Sequence, residues 1–115
     1  MAKILLVEDV EEVRVVLCQA IEMAGHDAHC VATYGDAEGA VASGEYALVV
    51  TDARLPDGSG KALAELAGRT GMRAVLISGD PDELQALAVK REISLLQKPF
   101  RLDELTRAVE HHLGA

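Results

Sequence analysis

Three short segments of the chain carry the residue types that phosphoryl transfer requires. Glu8 and Asp9 follow one apolar run, Asp52 follows another, and Lys98 closes a third. If these runs are parallel strands, their carboxyl ends meet at one edge of a sheet. Clustered carboxylates favour a hard divalent cation such as Mg²⁺, and a lysine beside them favours an anion. The pattern predicts a site where a carboxylate receives a phosphoryl group.

Each of these residues also has an ordinary structural interpretation. Asp9 could cap the following helix, a role worth about 1 kcal/mol, Asp52 could be a turn residue, and Lys98 a surface lysine. Their shared position at strand ends favours chemistry, with Asp52 as the nucleophile that forms an aspartyl phosphate. Mg²⁺ and Lys98 would then neutralise the negative charge of the carboxylates and of the phosphoryl oxygens, and phosphoryl transfer requires little else beyond positioning.

A fourth strand end contributes Ser78 and Gly79. The hydroxyl or a backbone N–H at this point could bond a phosphoryl oxygen, and glycine would let the backbone approach the anion closely. The structural alternative is a strand-to-helix turn built from Ser-Gly-Asp-Pro, and the local sequence does not choose between the two.

Short apolar runs alternate with helical patterns along the whole chain. Five strands alternating with five helices predict an α/β fold, a doubly wound five-stranded parallel sheet whose commonest strand order is 2-1-3-4-5. This order makes the first and third strands neighbours, which brings their acidic ends together. The predicted strands are Lys3–Val7, Asp27–Ala32 at an edge, Ala47–Thr51, Arg73–Ile77 and Ser94–Gln97, and the predicted helices are Val10–Ala24, Asp36–Ala42, Ser59–Ala67 (stopped by Gly68), Asp82–Arg91 and Asp103–Leu113.

Composition excludes several classes of function. The 115 residues suit one domain, 1–115, and a net charge of −8 without a basic patch argues against direct nucleic-acid binding. No apolar run approaches a membrane span or a signal-peptide core, so we expect a cytoplasmic protein. Cys18 and Cys30 have neither metal-ligand spacing nor the density of a disulfide scaffold, and we expect reduced, buried or half-buried thiols.

With these residues in this order, the chain resembles the receiver domain of two-component response regulators over essentially its whole length. The matching elements are the run from Ile4 to Asp9, Asp52 with Leu55-Pro56 and Gly60, Ser78, and Lys98-Pro99-Phe100. The resemblance implies a flavodoxin-like three-layer sandwich in which a histidine kinase or histidine phosphotransfer protein donates a phosphoryl group to Asp52. The phosphorylated domain would then contact a downstream protein. It would catalyse only its own phosphorylation and dephosphorylation.

The resemblance also implies a metal site. Asp9 and Asp52 would ligate Mg²⁺ directly, together with the backbone carbonyl of Arg54. Glu8 would act on the ion through a water molecule.

Further roles follow from the same resemblance. Ser78 would bind the phosphoryl group on activation, Lys98 would pair with it, and the peptide bond between Lys98 and Pro99 would be cis. The partner surface would comprise Asp82–Arg91, the last strand and Asp103–Leu113. Because the last predicted helix ends close to the end of the sequence, we expect a stand-alone receiver or one excised from a larger protein such as a hybrid kinase.

Two residues depart from the family pattern. Leu95 stands three residues before Lys98, where the family usually has a Tyr or Phe that swings inward. A weaker or differently placed conformational change is therefore expected around Asp80–Leu95. Arg54, two residues after Asp52, could fold over the acids of the first strand end, approach the phosphoryl group and alter water attack, or face solvent.

Three other functions share part of this pattern. Flavodoxin shares the topology, but the acidic run from Glu8 to Glu12 would repel the phosphate of FMN. A phosphatase with an aspartyl-phosphate intermediate typically carries a second Asp two residues after the nucleophile, where this chain has Arg54. A receiver-like interaction module that works without phosphate would be favoured by failure to bind Mg²⁺ or beryllofluoride.

Overall fold

Five parallel strands form the central sheet of the computed structural model, which describes residues 2–82 and 93–113. The strands are β1 (Lys3–Val7), β2 (Asp27–Val31), β3 (Leu48–Asp52), β4 (Arg73–Ser78) and β5 (Ile93–Gln97). Their order is β2-β1-β3-β4-β5, so the predicted order 2-1-3-4-5 and the doubly wound α/β fold are confirmed.

Helices cover both faces of this sheet. Those described are α1 (Glu11–Met23), α2 (Tyr34–Ser43), α3 (Gly60–Arg69) and α4 (Leu102–Leu113). The predicted helix Asp82–Arg91 falls, after its first residue, outside the described residues. Within the described part of the chain, no helix combines the length and apolarity that a membrane span needs.

The core is divided between the two faces of the sheet. Successive residues of β1 point to opposite faces: Ile4 and Leu6 join the cluster under α1 and α4, while Leu5 and Val7 join the cluster under α2 and α3. Every residue of β3 is buried, as expected for a strand covered on both sides. β2 is only partly buried, which agrees with its predicted edge position.

The predicted end of α3 at Gly68 is wrong. The helix continues to Arg69, and the left-handed residue that follows it is Gly71, with φ of 79°. A glycine in the last turn of a helix weakens the helix without ending it, whereas a glycine in the left-handed region provides the usual stop.

The expectation of two reduced thiols is also corrected. Cys18 of α1 and Cys30 of β2 are joined by a disulfide. Packing of α1 over β2 sets their Cα atoms 6.5 Å apart, which lies within the range that a disulfide spans. Both residues are half-buried, as predicted. Cysteine spacing along the chain gave no indication of this proximity in space.

Gly60 is required by close packing of α3 on the end of β3. A Cβ atom at Gly60 would lie 2.0 Å from the carbonyl oxygen of Asp52, whereas a Cβ at Gly68 would meet nothing within 4 Å.

We predict that Gly60→Ala lowers the free energy of unfolding by about 2 kcal/mol or more, because backbone atoms must shift. Gly68→Ala, the control in the same helix, should be neutral or stabilising by up to about 1 kcal/mol. Denaturant titration measures both, and equal effects would contradict the packing argument.

His112 is a buried titratable group near the end of α4. It is 7% exposed, and neither ring nitrogen has a hydrogen-bond partner among the described residues. Burial lowers the pKa of this imidazole below its usual 6.5, and the neighbouring His111 and Arg73 act in the same direction. The folded state therefore binds fewer protons at this position than the unfolded chain does.

This imbalance gives stability a pH dependence. The contribution of neutral His112 is fully present above the unfolded pKa and is lost as pH falls through the folded pKa. We predict that His112→Leu reduces the slope of unfolding free energy against pH between about pH 8 and about pH 5.5. Replacement of the exposed His111 by Leu should change this slope less. Identical slopes for wild type and His112→Leu would show that His112 is not the group responsible.

Candidate functional site

The carboxyl ends of β1 and β3 place three carboxylates together. The two strands pair in parallel with Val7 opposite Thr51, so the residues that follow or end them are neighbours. One oxygen from each of Glu8, Asp9 and Asp52 can be chosen so that all lie within 4.8 Å of one another. The structure thus brings together the three acids that the sequence analysis selected.

Glu8 is the most buried of these acids, with 2% of its surface exposed. Its Oε2 accepts a hydrogen bond of 3.0 Å from the N–H of Val10, and Val10 occupies the N-cap of α1 without a side-chain cap. Asp9 therefore does not have the capping role considered as its alternative, and it remains exposed. Burial raises the pKa of the Glu8 carboxyl, with further increases from Asp9 and Asp52.

Lys98 supplies positive charge to this cluster. Its Nζ donates a hydrogen bond of 3.0 Å to Oδ2 of Asp52 and lies 4.0 Å from Oε1 of Glu8. The backbone continues the line of β5, since the Lys98 N–H donates to the carbonyl of Ser78 at 2.9 Å. The peptide bond between Lys98 and Pro99 is cis, as the family resemblance implied.

Ser78 and Gly79 lie at the end of β4 beside Asp52. They line, with Asp52 and Lys98, a cavity of about 440 Å³. Ser78 is buried, and its Oγ accepts a hydrogen bond of 3.0 Å from the N–H of Asp80. A Cβ at Gly79 would meet nothing within 4 Å, so packing within the described chain does not require glycine there.

Arg54 lines the same cavity, beside the turn that follows β4. Its side chain is 76% exposed, and Nη2 lies 3.5 Å from Oδ2 of Asp80. Asp80 is a site residue that the sequence analysis missed. The signal was available: Arg54 and Asp80 each stand two residues beyond the last residue of neighbouring strands, β3 and β4.

The loop after Asp52 is fixed at both ends. The N–H of Ala53 donates to the carbonyl of Ile77 at 2.7 Å, and the N–H of Gly60 donates to the carbonyl of Ala53 at 2.9 Å. Farther along, the Asp57 carboxylate accepts hydrogen bonds from two N–H groups at the start of α2, those of Tyr34 and Gly35. These bonds lower the pKa of Asp57 and attach the tip of the loop to the neighbouring helix.

Leu95 lies in β5 opposite Leu76 of β4. It is half-buried and packs against the small cluster formed by Leu76 and Ala53, the residue directly after Asp52. The position is therefore close to the loop that carries Asp52, but its side chain contributes only apolar packing.

A doubly wound parallel sheet with clustered acids and a lysine at its carboxyl edge defines a receiver-type signalling domain. The family model described as response regulator receiver domain matches residues 4–110. The chain belongs to this family, whose members act as phosphoacceptors in two-component systems. Receiver domains are generally signalling modules rather than enzymes, and they interact with histidine kinases and downstream effectors.

Curated relatives agree with this assignment. The chain is 34% identical to the swarming motility regulation protein RssB of Serratia marcescens over 112 residues, which cover 93% of this chain and 51% of that protein. It is 33% identical to the DNA-binding transcriptional regulator NtrC of Azospirillum brasilense over 99% of this chain and 24% of that protein. The chain thus spans about half and about a quarter of these two relatives. The response regulator receiver protein CpdR of Brucella abortus is 30% identical, with 100% of this chain and 99% of that protein covered.

Solved structures show the same fold. A response regulator receiver protein from Sinorhizobium medicae superposes with a TM-score of 0.90 at 28% identity, covering 99% of this chain and 95% of that one. The receiver domain of the sensor histidine kinase PA1611 from Pseudomonas aeruginosa gives a TM-score of 0.83 at 24% identity, covering 99% and 98%. That domain was crystallised with a magnesium ion coordinated in its active site cleft.

Proposed function

We propose that Asp52 is the phosphoacceptor of this receiver domain and that a histidine kinase or histidine phosphotransfer protein is the donor. One observation carries the assignment: the largely buried Asp52 carboxylate receives a 3.0 Å hydrogen bond from Lys98 inside an open cavity. Asp57, by contrast, is an exposed acid in the same loop whose oxygens are occupied by helix N–H groups.

The reaction requires little beyond positioning and charge neutralisation. An Asp52 carboxylate oxygen attacks the phosphorus of a phosphohistidine, the new O–P bond forms, and the P–N bond breaks with its electron pair leaving on the imidazole. Lys98 holds its ammonium group against Asp52 and pairs with the arriving phosphoryl oxygens. Ser78 donates its hydroxyl hydrogen to a phosphoryl oxygen, which the bond that its Oγ accepts from the Asp80 N–H does not prevent.

Mg²⁺ fits the acidic cluster. The three carboxylates offer only oxygen ligands, which Mg²⁺ prefers. A cation among them would oppose the rise in the pKa of Glu8 that burial causes. Asp9 and Asp52 would be direct ligands with the backbone carbonyl of Arg54, and Glu8 would act through a water molecule. When bound, the ion would offset the negative charge of the carboxylates and of the incoming phosphoryl oxygens.

We propose that the phosphorylated domain passes its signal on by contacting a downstream protein in the cytoplasm. The face expected from the family, Asp82–Arg91 with β5 and α4, lies in part outside the described residues. Within the described part, Leu95 offers packing against Leu76 and Ala53 but no hydroxyl. We therefore propose that the conformational change around Asp80–Leu95, a range of which residues 83–92 lie outside the described residues, is weaker or differently placed than in members with an aromatic residue at position 95.

The phosphoacceptor assignment predicts a specific mass change. After incubation with acetyl phosphate and Mg²⁺, the wild-type protein should gain about 80 Da, the mass of one phosphoryl group. Asp52→Asn should gain none, because an amide cannot act as the nucleophile. Asp57→Asn is the matched control in the same loop and should still be labelled. An adduct on Asp52→Asn, or none on wild type, would contradict the assignment.

The metal assignment predicts a loss of Mg²⁺ affinity in Asp9→Asn. Removing one direct carboxylate ligand should weaken binding about tenfold or more, measured by calorimetric titration. Asp27→Asn is a suitable control, because Asp27 is an exposed acid at the amino end of β2, away from the site. If both variants bound Mg²⁺ with wild-type affinity, Asp9 would not be a ligand.

A further inference from the structure

The mouth of the phosphoacceptor cavity is bordered by an ion pair. The charged side chains of described residues that line the cavity are Asp52, Lys98, Arg54 and Asp80, two negative and two positive. Lys98 is held against Asp52 at 3.0 Å, and Arg54 lies 3.5 Å from Asp80. The outer pair is the more exposed, with 76% of the Arg54 side chain and 41% of the Asp80 side chain accessible.

This outer pair is weak enough to exchange partners. Exposed ion pairs contribute little to stability, and the separation here is at the long end of hydrogen-bond range. A phosphoryl group is a stronger partner for arginine than a single carboxylate oxygen, because it can accept two parallel hydrogen bonds from the guanidinium. Phosphorylation also adds about one negative charge to the cavity, since the singly charged carboxylate becomes an acyl phosphate with about two negative charges.

Asp80 is connected to more than Arg54. While Oδ2 faces Arg54, Oδ1 accepts a hydrogen bond of 3.0 Å from the N–H of Asp82, and the Asp80 N–H donates to Ser78 Oγ. The carboxylate that holds Arg54 is thus fixed by the turn that follows β4. Asp80 is thus positioned to hold a guanidinium beside the cavity that both residues line.

We propose that Arg54 is a ligand of the phosphoryl group on Asp52, and that Asp80 holds Arg54 at the cavity mouth until that group is present. On phosphorylation, Arg54 leaves Oδ2 of Asp80 for the phosphoryl oxygens. The Asp80 carboxylate and the phosphoryl group on Asp52 then compete for the same guanidinium, so the two anionic groups are coupled through Arg54. The inference rests on the proposed phosphorylation of Asp52.

A double-mutant cycle with a phosphoryl analogue tests this coupling. Binding of beryllofluoride at saturating Mg²⁺ would be measured by ¹⁹F NMR for wild type, R54Q, D80N and the double variant R54Q/D80N. R54Q should weaken binding about fivefold or more, because a charge-assisted interaction is lost. D80N should tighten binding about twofold or more by releasing Arg54, and this gain should be absent in the R54Q background. R54K, which keeps the charge but not the planar fork, should recover part of the loss.

Two results would overturn the proposal. If R54Q binds within twofold of wild type, Arg54 is not a ligand; if D80N tightens binding equally in both backgrounds, Asp80 acts only by charge repulsion. Amide spectra of each variant establish that it is folded. Asp52→Asn serves as the reference without a phosphoacceptor. Failure of wild type to bind beryllofluoride would count against phosphorylation of Asp52 itself and is therefore distinguishable from failure of the Arg54 proposal.

Discussion

A lysine ammonium group lying 3.0 Å from a largely buried carboxylate is the contact on which the rest of this site depends. Asp52 shares its end of the sheet with Glu8 and Asp9, and carboxylates at this spacing repel one another unless a cation lies nearby. Lys98 belongs to the end of β5, with β4 between it and the strand that carries Asp52. Its side chain therefore passes the end of β4, and Ser78 of that strand becomes part of the same cavity.

The geometry of this contact is imposed by the sheet. Parallel strands buried on both faces resist slipping, because a shift of one residue would move each core side chain out of its own packed cluster and into that of the opposite face. The pairing of β1 with β3 and of β3 with β4 thus fixes the relative heights of the strand ends. Gly60 completes the constraint, since α3 begins so close to Asp52 that a side chain has no room. A rigid support of this kind lets a small cluster of charges keep its spacing.

Much of this arrangement could be predicted from the sequence because it depends on hydrophobic patterning. Continuous apolar runs ending in acids or lysine specify buried parallel strands, and the commonest strand order then places Glu8, Asp9 and Asp52 together. The ion pair between Arg54 and Asp80 was missed because hydrophobic patterning locates the strand ends but not the exposed side chains two residues beyond them.

Two further differences between the sequence-based expectations and the structure have local causes. The disulfide was missed because the eleven residues between Cys18 and Cys30 (19–29) include the turn that folds β2 back beneath α1. The end of α3 was placed too early because glycine lowers helix propensity wherever it stands, and sequence alone does not report its φ angle.

The most direct test of the proposed site is a crystal structure of the protein with Mg²⁺ and beryllofluoride. Beryllium should be bonded to a carboxylate oxygen of Asp52, with a fluorine within hydrogen-bond distance of Lys98 Nζ. The metal ion should lie among the oxygens of Glu8, Asp9 and Asp52. Beryllofluoride absent from Asp52 at saturating concentration, or bound there with Lys98 turned away and no ion among the three acids, would contradict this assignment.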